Sequence, residues 1–243
     1  MRLHLVEIHD LVGCPASLRD ALTDFLAFTL NLVRSYEPAG PLLRRALRRA
    51  AATRIVDLCS GAGGPWSWLA AQVGVPVVLT DLYPHRGQIP GMHPRSVDAR
   101  AVPADLTGFR TLFTSFHHFR PPDARAILED AVRNRQGIAV FEAARRRPLD
   151  VALVAMTWLG VLAAVPFVRP FRWSRLMWTY LPPLLPVVGT FDGVVSCLRS
   201  YAPAELRALV RGLDDFEWEI GAARAPHSPL HTTYLIGVPR GIA

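Results

Sequence analysis

The fold turns on residues 54–70, RIVDLCSGAGGPWSWLA. Arg54 to Leu58 is a short apolar run with an aspartate at position 57, the pattern of a buried strand. Ser60 to Gly64 is a turn of small residues with three glycines, and Pro65 heads an amphipathic segment, as helices prefer. Strand, glycine turn and helix in that order open a doubly wound sheet, where bare backbone and a helix N-terminus can approach a nucleotide. Taken alone, a purely structural turn between a strand and a helix reads the same way.

The next strand breaks that tie. 75-VPVVLTD-81 ends on Asp81, 18 residues after Gly63, and an acid at about that distance suits the hydroxyls of a ribose. Asp98-Ala99 follows a third apolar run, where a carboxylate could accept a hydrogen bond from an adenine amino group. Strands are expected at 54–58, 75–80, 95–98, 111–115, 137–142, 215–220 and 232–238, with helices near 65–72, 122–135 and 203–212. This alternation predicts an α/β fold with a doubly wound, mostly parallel seven-stranded sheet. Ahead of it, residues 1–52 read as a helical cap. It contains 17-SLRDALTDFLAFTLNLV-33, capped by Ser17, and 41-PLLRRALRRAAA-52. The chain divides as one domain into this cap, a cofactor-binding half (53–145), an apolar insertion (146–200), and a last helix with two strands (201–243).

In order along the chain, Asp57-Leu-Cys-Ser-Gly-Ala-Gly-Gly64, Asp81, Asp98-Ala99 and 112-LFTSFHHF-119 resemble the class I S-adenosylmethionine-dependent methyltransferases, over about residues 50–142. Their first motif is D-x-G-x-G-x-G; Asp57 matches its acid, Cys59 replaces its first glycine, and Gly61 and Gly63 match the others. The resemblance implies S-adenosyl-L-methionine as cofactor and S-adenosyl-L-homocysteine as product. It places Asp57, Cys59, Ser60, Gly61, Gly63, Asp81, Leu82, Asp98, Ala99 and Ser115 around the cofactor. Asp57 stands where it would repel a pyrophosphate but could hold an amino group, which disfavours a dinucleotide. His117 and His118, at the edge of the fourth strand, are the base candidates, with Glu142 at the end of the fifth as a further acid–base group. Each of the three has an ordinary packing or hydrogen-bonding role as its alternative.

DLCSGAGG also resembles the DLFSGAGG opening of DNA cytosine-C5 methyltransferases. Those need a Pro-Cys nucleophile, and none of Cys14, Cys59 and Cys197 follows a proline. An Asn-Pro-Pro-Tyr type motif is absent at 114–119, so nucleic acid is not the expected substrate. The net charge of +7 is carried entirely by arginine. With no lysine in the chain, Schiff-base and lysine-base chemistry are excluded. Three scattered cysteines without CxxC spacing argue against a disulfide framework or a zinc site, and no metal is expected. Met1 to Leu11 lacks an apolar leader core, which points to the cytoplasm, with contact at a membrane surface as an option.

The insertion departs from the alternation. 151-VALVAMTWLGVLAAVPFV-168 holds 18 uncharged residues between Arg145–Arg147 and Arg169, Arg172 and Arg175. That is roughly 27 Å of helix, barely a bilayer core. Prolines in 181-LPPLLPVVGTF-191 disfavour a return span. A greasy lid, an interfacial patch bordered by Trp158, Trp173 and Trp178, or a buried cap or dimer contact remain. The functional readings favour a small lipophilic acceptor, with Trp66, Asp192, Arg199 and Tyr201 as candidate substrate residues. A methyltransferase-like fold without methylation and a membrane-surface binding protein are the alternatives. The oligomeric state stays open.

Overall fold

The computed structural model describes residues 2–84 and 89–241. After a short 3-10 turn at Ile8–Asp10, helices α1 (Ala16–Leu32) and α2 (Ala39–Arg49) precede β1 (Ile55–Asp57), α3 (Trp66–Val73) and β2 (Val77–Leu79). Then come β3 (Phe109–Phe113), α4 (Pro121–Arg133) and β4 (Ile138–Glu142). The insertion forms α5 (Pro148–Ala155), α6 (Thr157–Ala164), α7 (Trp173–Tyr180) and α8 (Leu184–Arg199). Helix α9 (Pro203–Leu209), β5 (Phe216–Arg224) and β6 (His231–Pro239) complete the order.

The strands form one six-stranded sheet in the order β2-β1-β3-β4-β6-β5. Strands β1 to β4 run parallel, and β6 enters antiparallel to β4, pairing Ile138 with Gly237. The central strands are buried along their whole length; β1 and β4 read as apolar runs that end on an acid, whereas β3 buries Arg110 and Thr111 in its middle. Alternate residues serve opposite faces. Val56, Leu112 and Val140 pack with α4 and α9, whereas Ile55, Phe109, Phe113 and Phe141 pack with α2 and α3. The buried pair Arg110 Nη1–Asp130 Oδ2 (2.6 Å) ties β3 to α4.

The seventh strand is a correction. Residues 95–98 are not a strand; the segment Gly91–Val97 lies against the edge of β2 through single bonds. Gly91 O accepts from Leu79 N–H, and Val97 N–H donates to Asp81 O (2.9 Å). Pro90 and Pro94 within this stretch cannot donate to a ladder, which keeps it irregular.

Within the insertion, the 18-residue apolar run bends at Met156 into α5 and α6. Pro148–Phe167 has the length and apolarity of a membrane span, yet only 17% of its most apolar window is buried. Met156, Trp158, Phe167, Phe171, Trp173, Met177 and Leu181 all lie exposed along these helices. One buried face of the insertion packs against α1. Leu18, Ala21 and Leu22 pack on Val161, Val165, Leu185 and Val188. The buried Arg175 locks that contact, donating to the carbonyls of Val168 (3.0 Å) and Pro170 (3.1 Å) and to Asp24 of α1.

Candidate functional site

At the carboxyl end of β1 the chain turns sharply, and Asp57 organises the turn. Thr111 Oγ1 donates to Asp57 Oδ1 and Ser60 Oγ to Oδ2, each at 2.6 Å. Burial pushes the Asp57 carboxyl up to about 6, against the opposing pull of those two hydroxyls. Its oxygens are thus engaged inside the protein, and Asp57 shapes the turn. Cys59 has φ +56° and Gly61, Gly63 and Gly64 have φ +50°, +92° and +51°. Cys59 therefore holds the left-handed conformation that glycine adopts without cost, at the position where the resembled motif has glycine. Burial, with the nearby Asp81 and Asp57 charges, drives its thiol far above the usual range, so it is no nucleophile. Gly61 N–H donates to Asp81 Oδ2 and Tyr83 N–H to Oδ1, both at 2.9 Å. Asp81 is thereby fixed beside the turn.

The turn opens on a cavity of about 130 Å³ lined by Cys59–Ala62, Gly64, Phe113, Thr114, Tyr36 and a mixed face of α1 (Thr23, Leu26, Ala27, Leu30 and Asn31). A Cβ added at Gly61 or Gly64 would meet nothing within 4 Å. Through Thr23, Ala27, Asn31 and Ala62 the cavity continues into a second one of about 830 Å³, whose far wall is Phe28, Phe167, Arg169 and Arg172. The larger space falls in the range that takes small molecules. One groove thus joins the glycine turn to the insertion. Thr114 holds φ +46°, rare for a β-branched residue, and is hydrogen-bonded to the Tyr36 hydroxyl. Trp68 Nε1 donates to Asn31 Oδ1 (2.9 Å), steadying the α1 wall.

The three carboxyl-edge candidates do come together, but away from the groove. Glu142 accepts from the amides of Ser115 (3.1 Å) and Phe116 (2.7 Å) and pairs with His117 Nδ1 at 2.6 Å. Burial would raise the Glu142 carboxyl, yet His117 and the Phe116 amide outweigh it and hold it below the usual value. Residues 2–10 roof this site. Glu7 Oε1 is 3.8 Å from His117 Nε2, and Glu7 Oε2 is 3.8 Å from His118 Nε2. Burial lowers His118, with the neighbouring His117 adding to the effect.

The candidate substrate residues hold the same roof in place. Asp192 accepts from the amides of Ile8 (2.6 Å) and His9 (3.1 Å). Arg199 Nη1 pairs with Glu7 Oε1 at 3.1 Å, and Tyr201 donates to Phe119 O (2.8 Å) beneath the guanidinium of Arg2. Trp66 is buried edge-on against Phe113. None of these four lines the groove. Among the expected cofactor residues, Asp98 is engaged by Arg100 (2.7 Å), Ala99 lies in the core, Leu82 is exposed, and Ser115 is buried below the groove floor. Most of the groove lining lies outside the expected site residues, the polar Thr23, Asn31, Tyr36 and Thr114 among it. Thr114 had a signal, since it follows β3 in the quoted 112–119 stretch; Tyr36 had none.

No protein-family model matches the chain, and no curated protein matches it by sequence. Solved structures do. Human N-acetylserotonin methyltransferase, in complex with S-adenosylmethionine, superposes with a TM-score of 0.51 at 14% identity, over 96% of this chain and 62% of its own. An O-methyltransferase family protein from Burkholderia thailandensis gives 0.47 at 14% identity, over 90% of this chain and 60% of its own. A Rhodobacter sphaeroides chain provisionally assigned as a Zn-dependent alcohol dehydrogenase gives 0.47 at 13% identity, over 90% and 98%. The chain spans about three fifths of the length of the two methyltransferases. Its fold is that of the class I methyltransferases.

Proposed function

We propose that the protein is an S-adenosylmethionine-dependent methyltransferase acting on a small lipophilic acceptor. The observation that carries this reading is the groove, which sets bare glycine backbone next to a larger space lined by Phe28, Leu32 and Ile89 and by Phe167, Arg169, Pro170 and Arg172 of the insertion. The residues fit the cofactor. Positive-φ backbone at Gly61 and Gly64 leaves open space where a Cβ would stand, and Asp81 is held beside it by the Gly61 amide. The human methyltransferase that shares the fold was crystallised with S-adenosylmethionine, which supports the assignment.

In this reading Cys59–Ala62 and Gly64 lie along the methionine side, and Asp81, with Asp98 beyond it, meets the ribose and adenine. S-adenosylmethionine supplies an electrophilic methyl group on sulfonium sulfur. The protein's share is to align an acceptor atom with that methyl group and keep water away. Phe28, Phe113 and Phe167 give the acceptor an apolar bed, and the Tyr36–Thr114 pair offers polar atoms at the head of the groove. His117 and Glu142 do not line it; Glu142 holds the turn after β3 through the Ser115 and Phe116 amides and His117. Calorimetric titration with S-adenosylmethionine and S-adenosylhomocysteine tests the proposal. The wild type binds both, and Asp81→Ala weakens both at least tenfold. A folded wild type that binds neither removes the reading.

The exposed apolar helices favour a second, compatible reading, in which the acceptor is collected from a lipid surface. Trp158 and Trp173, with the exposed Arg147 and Arg169 nearby, suit a headgroup interface. Co-sedimentation with anionic vesicles tests it. The wild type should partition to the vesicles, with at least a tenfold loss in the double variant Trp173→Asp, Met177→Asp; wild type remaining in the supernatant ends it.

A further inference from the structure

Two histidine–carboxylate pairs converge on one buried glutamate beneath the N-terminal roof. His117 Nδ1 is 2.6 Å from Glu142 Oε2, and His118 Nδ1 is 3.4 Å from Asp10 Oδ2. An ionised carboxylate only accepts, so each Nδ1 carries its proton toward its own acid. Each Nε2 is then left with a lone pair, and both are aimed at Glu7, at 3.8 Å each. Glu7 and His117 are both 1% exposed, and His117 Nε2 has no hydrogen-bond partner among the described residues.

Glu7 Oε1 is met by Arg199 Nη1 (3.1 Å) and Ser196 Oγ (3.0 Å), so the unmet groups are the two Nε2 lone pairs, which call for something positive between them and Glu7. The wider cluster has the same need. Glu7, Asp10, Glu142 and Asp192 are four carboxylates, and the basic groups within 4 Å of them are the guanidinium of Arg199 and the imidazoles of His9, His117 and His118. With neutral imidazoles the cluster is net negative, which favours a cation.

We propose that Glu7, His117 Nε2 and His118 Nε2 bind a divalent transition-metal ion, zinc above all, which clasps the N-terminal segment to the turn after β3. One ligand atom from each residue lies within 4.8 Å of the others. Neighbouring ligands in a tetrahedral zinc site stand about 3.3 Å apart, so the 3.8 Å approaches close with small shifts, and the longest separation, within 4.8 Å, with at most about 1.5 Å. Two imidazoles and a carboxylate suit zinc. Glu142 and Asp10 supply the outer carboxylates that orient metal-binding histidines. The ion would reach the site past His118 and Asp10, 31% and 40% exposed at the side chain. The absence of paired cysteines in the sequence excludes only the thiolate kind of site.

The test is a titration of the full chain, stripped with chelator, using Zn²⁺ by calorimetry and Co²⁺ by visible absorption. One ion per chain is expected, with a Co²⁺ spectrum of nitrogen and oxygen ligation. Glu7→Gln and His118→Ala should each weaken binding at least tenfold. Glu142→Gln, which acts through His117 as a positioning change, should weaken it about 10- to 100-fold. Zinc should also raise the melting temperature by several degrees, a rise that Glu7→Gln abolishes. Retention of wild-type affinity in Glu7→Gln and His118→Ala, both checked to be folded, would place the ion elsewhere, for instance on the exposed His227, and overturn the proposal. So would the lack of any binding at about 100 μM Zn²⁺, which would leave protons to balance the cluster.

Discussion

The turns that follow β1 and β3 are built alike and used differently. Each leaves the carboxyl edge of the sheet, and each is organised by a buried acid, Asp57 in one and Glu142 in the other. Asp57 is met by two neutral hydroxyls, which do not compensate its burial, and its carboxyl is pushed up. Glu142 is met by an imidazole and two backbone amides, and its carboxyl is pulled down. The first turn opens to the groove beside α1; the second is roofed by residues 2–10. Burial alone therefore sets neither the charge state of a strand-end acid nor its access to ligand. The donors and the cover set them.

The sharpest way to break the contrast is to remove the better-compensated acid. Glu142→Leu strands two amides and His117, so urea unfolding at pH 7 should show a loss of about 3–5 kcal/mol. A loss below about 1 kcal/mol would show that apolar packing, and not this carboxylate, holds the second turn.

A smaller effect, with a defined sign, is expected at the first turn. The folded Asp57 carboxyl, at about 6, stands above its ordinary 3.8. The stability it lends is therefore fully present below about pH 4 and is lost as pH rises through about 6, a change of about 3 kcal/mol. Asp57→Asn should flatten that fall when unfolding is measured at pH 4, 5, 6 and 7. Glu142 has the opposite sign: its contribution is present above about pH 4.5 and is lost on acidification through its lowered value. Equal slopes in the Asp57→Asn protein and the wild type would dissolve the comparison.

These two turns also mark how far the sequence could be read. Buried parallel strands are apolar on both faces, so β1 and β4 stand out as runs, whereas Arg110 and Thr111 hide the start of β3, which begins at Phe109 and not at 111. The glycines and the strand-end acids follow them at fixed offsets. The edge near 95–98 was misread because two prolines nearby remove ladder donors from a stretch that otherwise has strand composition. Long-range pairings left no local trace. Nothing near Asp192 shows that it holds the amides of Ile8 and His9, 184 and 183 residues away in the chain. Glu7 looked like one charge in a polar opening segment, and only the folded chain places it between two histidines. The candidate site was thus legible where one strand and its turn build it, and illegible where a distant segment covers it.

Helix α1 carries a further consequence. One side of it packs on the insertion through Leu18, Ala21 and Leu22, and another lines the groove through Thr23, Ala27 and Asn31. It works as a lever with a load at each side. A surface that seats the apolar insertion and a molecule that enters the groove press on the same rigid rod. If either displaces it, each must change the other's affinity by an equal factor, because coupling of this kind is reciprocal.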